Sequence, residues 1–231
     1  MTYNFLYLSG RITYRSINFT MSADIEYYTR LAREKLHMRQ DEDAISHFQK
    51  ALKCAKKSAN RQHVCKCMFN LGAALVALHR TPEGLKYLES VVPLKHDRKL
   101  TGDLWYNLCL AHEDLGNITE ALKYIKKAIE SYSESSDDIL LKACSACRLA
   151  SLYRQLRESE KAAEAYADAA DSYRIANDVP QRAVCLLHQA RLLACCKKSA
   201  EAIDVADQCV KLCSKQPDAG LGEYTEPKKE L

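Results

Sequence analysis

A pattern of small residues that returns about every forty positions constrains the fold of this chain more than any other feature of its sequence. Five residues mark equivalent places in the pattern: Ala44, Gly84, Ala121, Ala162 and Ala202. They lie 40, 37, 41 and 40 positions apart. In every unit another small residue stands twelve positions earlier, and apolar residues follow after four and seven positions. Self-similarity at a fixed period is the sequence signature of a repeat architecture.

The spacing inside each unit predicts a helix, a tight turn and a second helix, with small residues where the two helices cross. We therefore expect an all-α fold, an α-solenoid of about five helix–turn–helix repeats. The ten helices are predicted at residues 24–38, 41–58, 61–79, 82–95, 100–115, 118–134, 138–156, 159–176, 180–196 and 199–214. Thr81 is expected to cap the fourth helix, with Pro82 at its first position. Gly116 is expected to form a turn.

The forty-residue period defines the predicted domain organisation. It covers residues 23–214, which we predict to form one repeat domain. Residues 1–22 lack the period, and we expect a poorly ordered extension there, or a segment upstream of a start at Met21. Residues 215–231 contain two prolines and two glycines, which indicates a flexible tail.

The composition narrows the classes of protein that this chain can belong to. With 231 residues, of which 47% are hydrophobic and 28% charged, the chain can bury a substantial core. Its 7 glycines and 5 prolines are too few for a sandwich or barrel joined by many tight turns. The formal net charge of +4 makes no demand for nucleic acid or an anionic membrane as a partner.

The chain contains 11 cysteines. No stretch with the character of a secretory signal precedes them, and no apolar run is long enough to span a bilayer. Cysteine at helical spacing usually acts as a small buried hydrophobe in a reducing cytosol. We therefore predict a cytoplasmic protein whose cysteines are free thiols.

Two cysteine patterns have alternative interpretations. Cys144-x-x-Cys147 resembles a redox or zinc motif, but redox activity needs a strand-to-helix context, and zinc needs four ligands. His63 and Cys67 share a helical face and form a second candidate metal pair. Packing is the favoured interpretation of both. Nucleophile, zinc-protease, dinucleotide and P-loop motifs are absent. The sequence predicts a protein that is not an enzyme and that needs no cofactor or metal.

One unit carries a resemblance to a known family. Trp105-x-x-Leu108, followed by Ala121, Ile125 and Ala128, resembles the tetratricopeptide repeat signature, and the other four units match most of it. The period of about forty residues is similar to the longer variant of Leu-Gly-Asn repeat adaptors and rapsyn-like scaffolds. The resemblance implies a right-handed superhelix whose first helices line a concave groove that binds extended or helical peptides.

The resemblance also implies which residues line this groove. Carried over by position, they are Arg33, Asn70, Tyr106, Asn107, Cys147, Ser151, Arg154 and Arg191. The carboxylate clamp of chaperone-binding family members is not reproduced. Asn70 matches it, whereas Thr29, Arg33 and Asp103 stand where lysine or asparagine is expected. A chaperone tail is therefore disfavoured as the partner.

These residues predict a protein-interaction scaffold or adaptor whose groove holds a peptide of a partner protein. An amide offers both a donor and an acceptor, so Asn70 and Asn107 are expected to bind the peptide backbone. The alternative is that both asparagines hydrogen-bond the neighbouring repeat. Arginines on the groove favour an acidic segment. An alternative function is a structural subunit that docks through its convex or terminal helix faces and leaves the groove empty.

Overall fold

The structure, a computed structural model, describes residues 23–58, 60–92, 97–133 and 135–214. These residues form helices and turns, with no strand among them. A short 3₁₀ turn at Ser136–Asp138 precedes the seventh α-helix. The α-helices of the described residues are α1 (Ala23–His37), α2 (Asp41–Lys57), α3 (Arg61–Ala77), α4 (Thr81–Glu89), α5 (Arg98–Asp114), α6 (Ile118–Ser133), α7 (Ile139–Gln155), α8 (Ser159–Ile175), α9 (Val179–Cys195) and α10 (Ser199–Ser214).

The all-α prediction is confirmed, because the described helices follow the ten predicted ones. Consecutive helices pack as helix–turn–helix pairs, from α1 with α2 to α9 with α10. The fourth helix was expected to reach residue 95, but α4 ends at Glu89. Pro93 follows in the sequence, and the residue before a proline is disfavoured in helical geometry. The predicted extension 1–22 and tail 215–231 lie outside the described residues.

A left-handed residue follows each first helix and sets the turn to the second. The φ angle is +59° at Arg39, +58° at His79, +75° at Gly116, +60° at Arg157 and +61° at Lys197. Each of these residues donates its N–H to the carbonyl three positions earlier, and the next residue donates to the carbonyl five positions earlier. These two hydrogen bonds satisfy carbonyl groups that the end of a helix leaves without partners. The predicted turn at Gly116 is confirmed.

The chain divides into two compact units between residues 134 and 135. The first unit contains α1 to α6 and has two clusters of buried apolar side chains. Ile25, Phe48 and Leu71 belong to the cluster between α1, α2 and α3. Leu88 and Leu104 belong to the cluster between α3, α4 and α5. Each cluster joins one helix pair to the next, so no pair in this unit forms its core alone.

Two glycines let the backbones of α3 and α4 touch. A Cβ on Gly84 would lie 2.7 Å from the carbonyl oxygen of Gly72 and 2.8 Å from Cγ2 of Val76. A Cβ on Gly72 would lie 2.9 Å from Cγ of Leu88. Side chains at either position would overlap their neighbours. The sequence prediction that small residues mark the crossing of paired helices is therefore confirmed in this pair.

The expected cap at Thr81 was wrong. Thr81 is the first residue inside α4, Arg80 precedes the helix, and Pro82 lies within the first turn. The side chain of Thr81 is buried, and its hydroxyl donates to the Asp114 carboxylate at the end of α5. A hydrogen bond to a carboxylate is stronger than one between two neutral groups. Thr81 therefore ties two consecutive helix pairs together instead of capping one.

The second unit contains α7 to α10, and alanine fills most of its helix contacts. Eight buried alanines lie on α7 and α8. Larger side chains fill the space between α8 and α9, where Tyr166 stacks on His188 with ring centres 5.0 Å apart. The eight alanines are Ala143, Ala146, Ala150, Ala162, Ala163, Ala165, Ala169 and Ala170. Small side chains let α7 and α8 approach closely, as the repeat pattern predicts.

The two units share one type of contact between consecutive pairs. In the first unit Arg80 Nη1 lies 3.2 Å from Glu42 Oε1. In the second unit Lys198 Nζ lies 3.2 Å from Glu160 Oε1. Both cations stand in the turn of one pair, and both carboxylates stand near the start of the second helix of the preceding pair. Solvent screens exposed ion pairs of this kind, so they orient the helix pairs more than they stabilise them. No helix among the described residues has both the length and the apolarity needed to cross a membrane.

Candidate peptide-binding surface

All eight predicted groove residues lie on the first helices of their pairs. Arg33 is on α1, Asn70 on α3, and Tyr106 and Asn107 are on α5, all in the first unit. Three of the other residues, Cys147, Ser151 and Arg154, lie on α7, and Arg191 lies on α9. The candidate surface is therefore described separately for each unit.

In the first unit the polar groups of α5 are partly engaged within the protein. Asn107 is half-buried, and its Nδ2 donates to the carbonyl oxygen of Asp103, 2.8 Å away in the same helix. The Asp103 carboxylate accepts a hydrogen bond from the Tyr132 hydroxyl at 2.7 Å. Tyr106 is only 7% exposed. Asn107 is thus held by its own helix, and Tyr106 offers little surface to a ligand. Asn70, on α3, is half-buried.

In the second unit the Cys-x-x-Cys pair joins helices together. Cys147 Sγ lies 3.4 Å from Sγ of Cys185 on α9, and Cys144 Sγ lies 3.4 Å from the Tyr173 hydroxyl on α8. The hydrogen bond to Cys185, together with burial, raises the pKa of the Cys147 thiol well above its ordinary value. Burial also raises the pKa of Cys144. Protonated thiols are poor nucleophiles and poor metal ligands, so this geometry supports the packing interpretation.

Cys67, from the second candidate metal pair, lies in the core of the first unit. It is 2% exposed, and burial raises its pKa from 9.0 to about 12. Among the residues that the structure describes, no three His, Cys, Asp or Glu side chains are arranged to hold a metal ion. Cys67 packs with apolar residues of α1, α2 and α3. This position has the environment of a hydrophobic residue.

Arg154 and Ser151 lie near the end of α7, and Arg154 borders Tyr166 of α8. Ser151 is half-buried, whereas Arg154 is exposed and hydrogen-bonds the Tyr166 hydroxyl. Burial nevertheless raises the pKa of Tyr166, so the phenol stays neutral at physiological pH. The guanidinium has five N–H donors, and one such bond leaves most of them for another acceptor. Arg154 is therefore a positioned cation at the edge of the candidate surface.

The charge of the first helices in the second unit is a feature that the sequence reasoning missed. Neither α7 nor α9 contains a carboxylate, and each carries basic residues along its length. In contrast, α8 has four carboxylates and α10 has three. The five basic residues of the first helices are Lys142, Arg148, Arg154, Arg182 and Arg191. The absence of Asp and Glu from two whole helices was visible in the sequence and would have indicated this surface.

The helical pairs define the class of fold, and comparisons with known proteins agree with it. Residues 100–175, which include most of α5 and all of α6, α7 and α8, match the family model of the tetratricopeptide repeat. The predicted resemblance is thereby confirmed for this segment. The described residues have the fold of a tetratricopeptide-like helical repeat protein.

Solved structures of this fold resemble the chain along most of its length. A Podosopora anserina protein described as a kinesin light chain with nearly identical repeats has 17% identity and a TM-score of 0.69, over 86% of this chain and 100% of its own. BtubC from P. vanneervenii has 13% identity and a TM-score of 0.70, over 100% and 91%. A Rap protein complexed with competence and sporulation factor has 13% identity and a TM-score of 0.59, over 91% and 59%.

Proposed function

We propose that this protein is a non-enzymatic scaffold or adaptor that binds a peptide segment of a partner protein on its first helices. The observation that carries the proposal is the charge of α7 and α9, which have five basic residues and no carboxylate. Helices that carry cations and no carboxylate of their own favour an acidic segment. The partner is a protein, and the proposal includes no nucleic acid, membrane or chaperone tail.

Two further observations support the proposal. The Rap structure contains a bound factor on a fold of the same kind. In the first unit Asn70 is half-buried. The hydrogen bond from Nδ2 of Asn107 to the carbonyl oxygen of Asp103 fixes the orientation of the Asn107 amide group. The period of about forty residues also supports a relation to Leu-Gly-Asn adaptors and rapsyn-like scaffolds. Since the 11 cysteines are all free thiols, we place the protein in the reducing cytoplasm.

Fluorescence anisotropy with short peptides of graded acidic content tests this function. The change Arg154→Glu is expected to weaken binding of acidic peptides by about tenfold or more, because it replaces attraction by repulsion. Arg174→Glu is the matched control, since Arg174 is an exposed arginine of the second helix α8. Replacing Asn70 and Asn107 together by alanine is expected to cost about 1–3 kcal/mol of binding free energy.

Two results would count against the proposal. If the control change Arg174→Glu weakens binding as much as Arg154→Glu, general charge attraction explains the binding. If the asparagine variant loses thermal stability while its affinity is unchanged, these asparagines only stabilise the fold. Circular dichroism melting curves of every variant separate the two effects.

The alternative function, a structural subunit that docks through its helix faces, is favoured by a different observation. Ile203 and Val210 on α10 are 70% and 65% exposed. Apolar side chains this exposed on one helix indicate an interaction surface outside the groove. The two functions are compatible, because they use different helices.

A further inference from the structure

One side of α10 is apolar and uncovered. Ile203, Ala206, Val210 and Cys213 follow the spacing that places residues on one side of a helix. We call these four residues the terminal face. In α10 only Ala202 and Val205 are buried, whereas α8 buries eight residues. The last described pair thus leaves exposed an apolar surface whose equivalent in the preceding pair is buried.

The repeat shows what kind of element fits this surface. The residues forty positions before the terminal face are Ala163, Tyr166, Ala170 and Tyr173 of α8, and each is at most 6% exposed. They are covered in part by α9, the first helix of the next pair, where His188 stacks on Tyr166. The terminal face is therefore shaped to accept a helix in the place that α9 takes on α8.

Charge identifies the helix that would fit. The carboxylates Glu201, Asp204 and Asp207 of α10 outnumber its one cation, Lys211. In α8 the carboxylates also outnumber the cations, and α9 already packs against that helix. The charged residues of α9 are two arginines, and it has no carboxylate. Two helices of this unit, α7 and α9, carry cations and no carboxylate. Of these two, α9 exposes the apolar side chain with the larger exposed fraction, Leu187 at 44% against 37% for Leu140 of α7, so α9 is the better match to α10.

A second copy of the chain can supply this helix, because part of α9 is exposed. Leu187 of α9 is 44% exposed and Arg191 is exposed one turn further on. We propose that two copies form a symmetric dimer in which α9 of each copy lies on the terminal face of the other. A two-fold axis makes this contact twice, and it brings Arg191 of one copy toward Asp204 and Asp207 of the other. Pairing α10 with α10 would instead oppose carboxylates.

The chain's own residues 215–231 are a poorer occupant. They contain two prolines and two glycines, which are the least favourable residues for a helix interior. A covering helix similar to α9 would have 17 residues, the full length of this segment, so its interior would have to include both glycines and Pro227. This dimer goes beyond the proposed peptide binding and does not depend on it, but both use Arg191, so a second copy and a peptide would compete for that residue.

Sedimentation velocity of the full-length chain over a dilution series tests the dimer. Ile203→Asp is expected to raise the dissociation constant of the dimer by more than about tenfold, because it would bury a carboxylate in an apolar contact. Ile175→Asp is the matched control, since Ile175 of α8 is the same residue type, 65% exposed, and lies outside the terminal face. This control is expected to leave the dimer unchanged. Both variants should keep the melting temperature of the monomer.

Exchanging charges between α9 and α10 tests whether these two helices contact each other in the dimer. Changing Asp204 and Asp207 to lysine is expected to weaken the dimer, and adding Arg191→Glu should restore it. The proposal is overturned if the unmodified chain stays monomeric, or if Ile203→Asp and Ile175→Asp act alike. It is also overturned if Ile203→Asp lowers the melting temperature of a monomer, since a segment of the same chain would then cover the face. Weakening without restoration by Arg191→Glu excludes the pairing of α9 with α10.

Discussion

At the scale of single residues, the contact between α3 and α4 depends on the absence of a side chain at Gly84. The position a Cβ would take is only 2.7 Å from the Gly72 carbonyl oxygen and 2.9 Å from the backbone nitrogen of Val76. Backbone atoms of two helices cannot move away without separating the helices. The residue is therefore fixed by the close crossing and not by a turn, because its φ angle is not positive.

Gly84→Ala is expected to lower the free energy of unfolding by about 1–3 kcal/mol through overpacking. Alanine is the better helix former by about 1 kcal/mol, so this change would stabilise a helix without such a contact. Urea unfolding followed by circular dichroism measures the sign. Gly116→Ala is the control for loss of glycine itself, because a Cβ there meets no atom within 4 Å. It should cost about 1 kcal/mol through its positive φ angle alone. A more stable Gly84→Ala variant would contradict the packing argument.

At the scale of helices and turns, the left-handed residue after each first helix fixes the angle of the pair. Four of the five such residues are not glycine: Arg39, His79, Arg157 and Lys197. The left-handed region costs a residue with a Cβ roughly 1–2 kcal/mol. The two hydrogen bonds of each turn and the packing of both helices offset that cost.

Arg157→Gly and Lys197→Gly are each expected to raise the free energy of unfolding by about 0.5–1 kcal/mol. Glycine removes the strain of the positive φ angle, although the unfolded chain gains some entropy. Glu164→Gly, at an exposed position inside α8, is the matched control and should lower stability by about 1 kcal/mol. Chemical denaturation of the three variants tests the prediction. Equal destabilisation by all three would show that these turns are not strained.

These turns show where sequence reasoning succeeds and where it stops. The period of small residues predicted each pair, because close helix crossings admit few residue types. It identified the turn at Gly116, because glycine is the usual residue in left-handed geometry. Arginine, histidine and lysine are not typical of this geometry, so the sequence does not indicate the other left-handed residues. Thr81 was assigned to a cap because the partner of its buried hydroxyl, Asp114, is 33 positions away in the sequence. A local pattern contains no information about such distant partners.

The candidate surface was less predictable than the fold for a related reason. Family positions placed Tyr106 and Cys147 on a groove, yet Tyr106 is buried and Cys147 contacts Cys185. A position shared with a family fixes the helix on which a residue lies. The neighbours of that residue depend on side-chain sizes in the adjacent pair, which the family pattern does not specify.

At the scale of the whole molecule, buried thiols and phenols make stability depend on alkaline pH. Burial raises the pKa of Cys67 to about 12, and it raises the pKa values of Cys144, Tyr166 and Tyr173 as well. In the unfolded chain a thiol ionises near pH 9. Above that pH the unfolded state releases protons that the native state retains.

The free energy of unfolding should therefore be nearly constant with respect to these groups below about pH 9 and fall as pH rises toward about 12. Urea unfolding in reducing buffer at about pH 8 and about pH 10.5 measures the loss. Cys67→Ala should show a smaller loss between the two conditions, because its unfolded state has one fewer thiol to ionise. A variant with the same pH dependence as the unmodified chain would contradict the role of Cys67.

Within each unit, the packing of helices on their neighbours in sequence has a consequence for biosynthesis. A ribosome adds about 5–20 residues per second, so a pair of about forty residues takes about 2–8 s to emerge. Proteins dominated by local contacts fold in microseconds to milliseconds. Within each unit, every later pair contacts the pair that was synthesised just before it. The nascent chain can therefore fold stepwise during translation, and newly made apolar surface is exposed only for the time that one pair takes to be made.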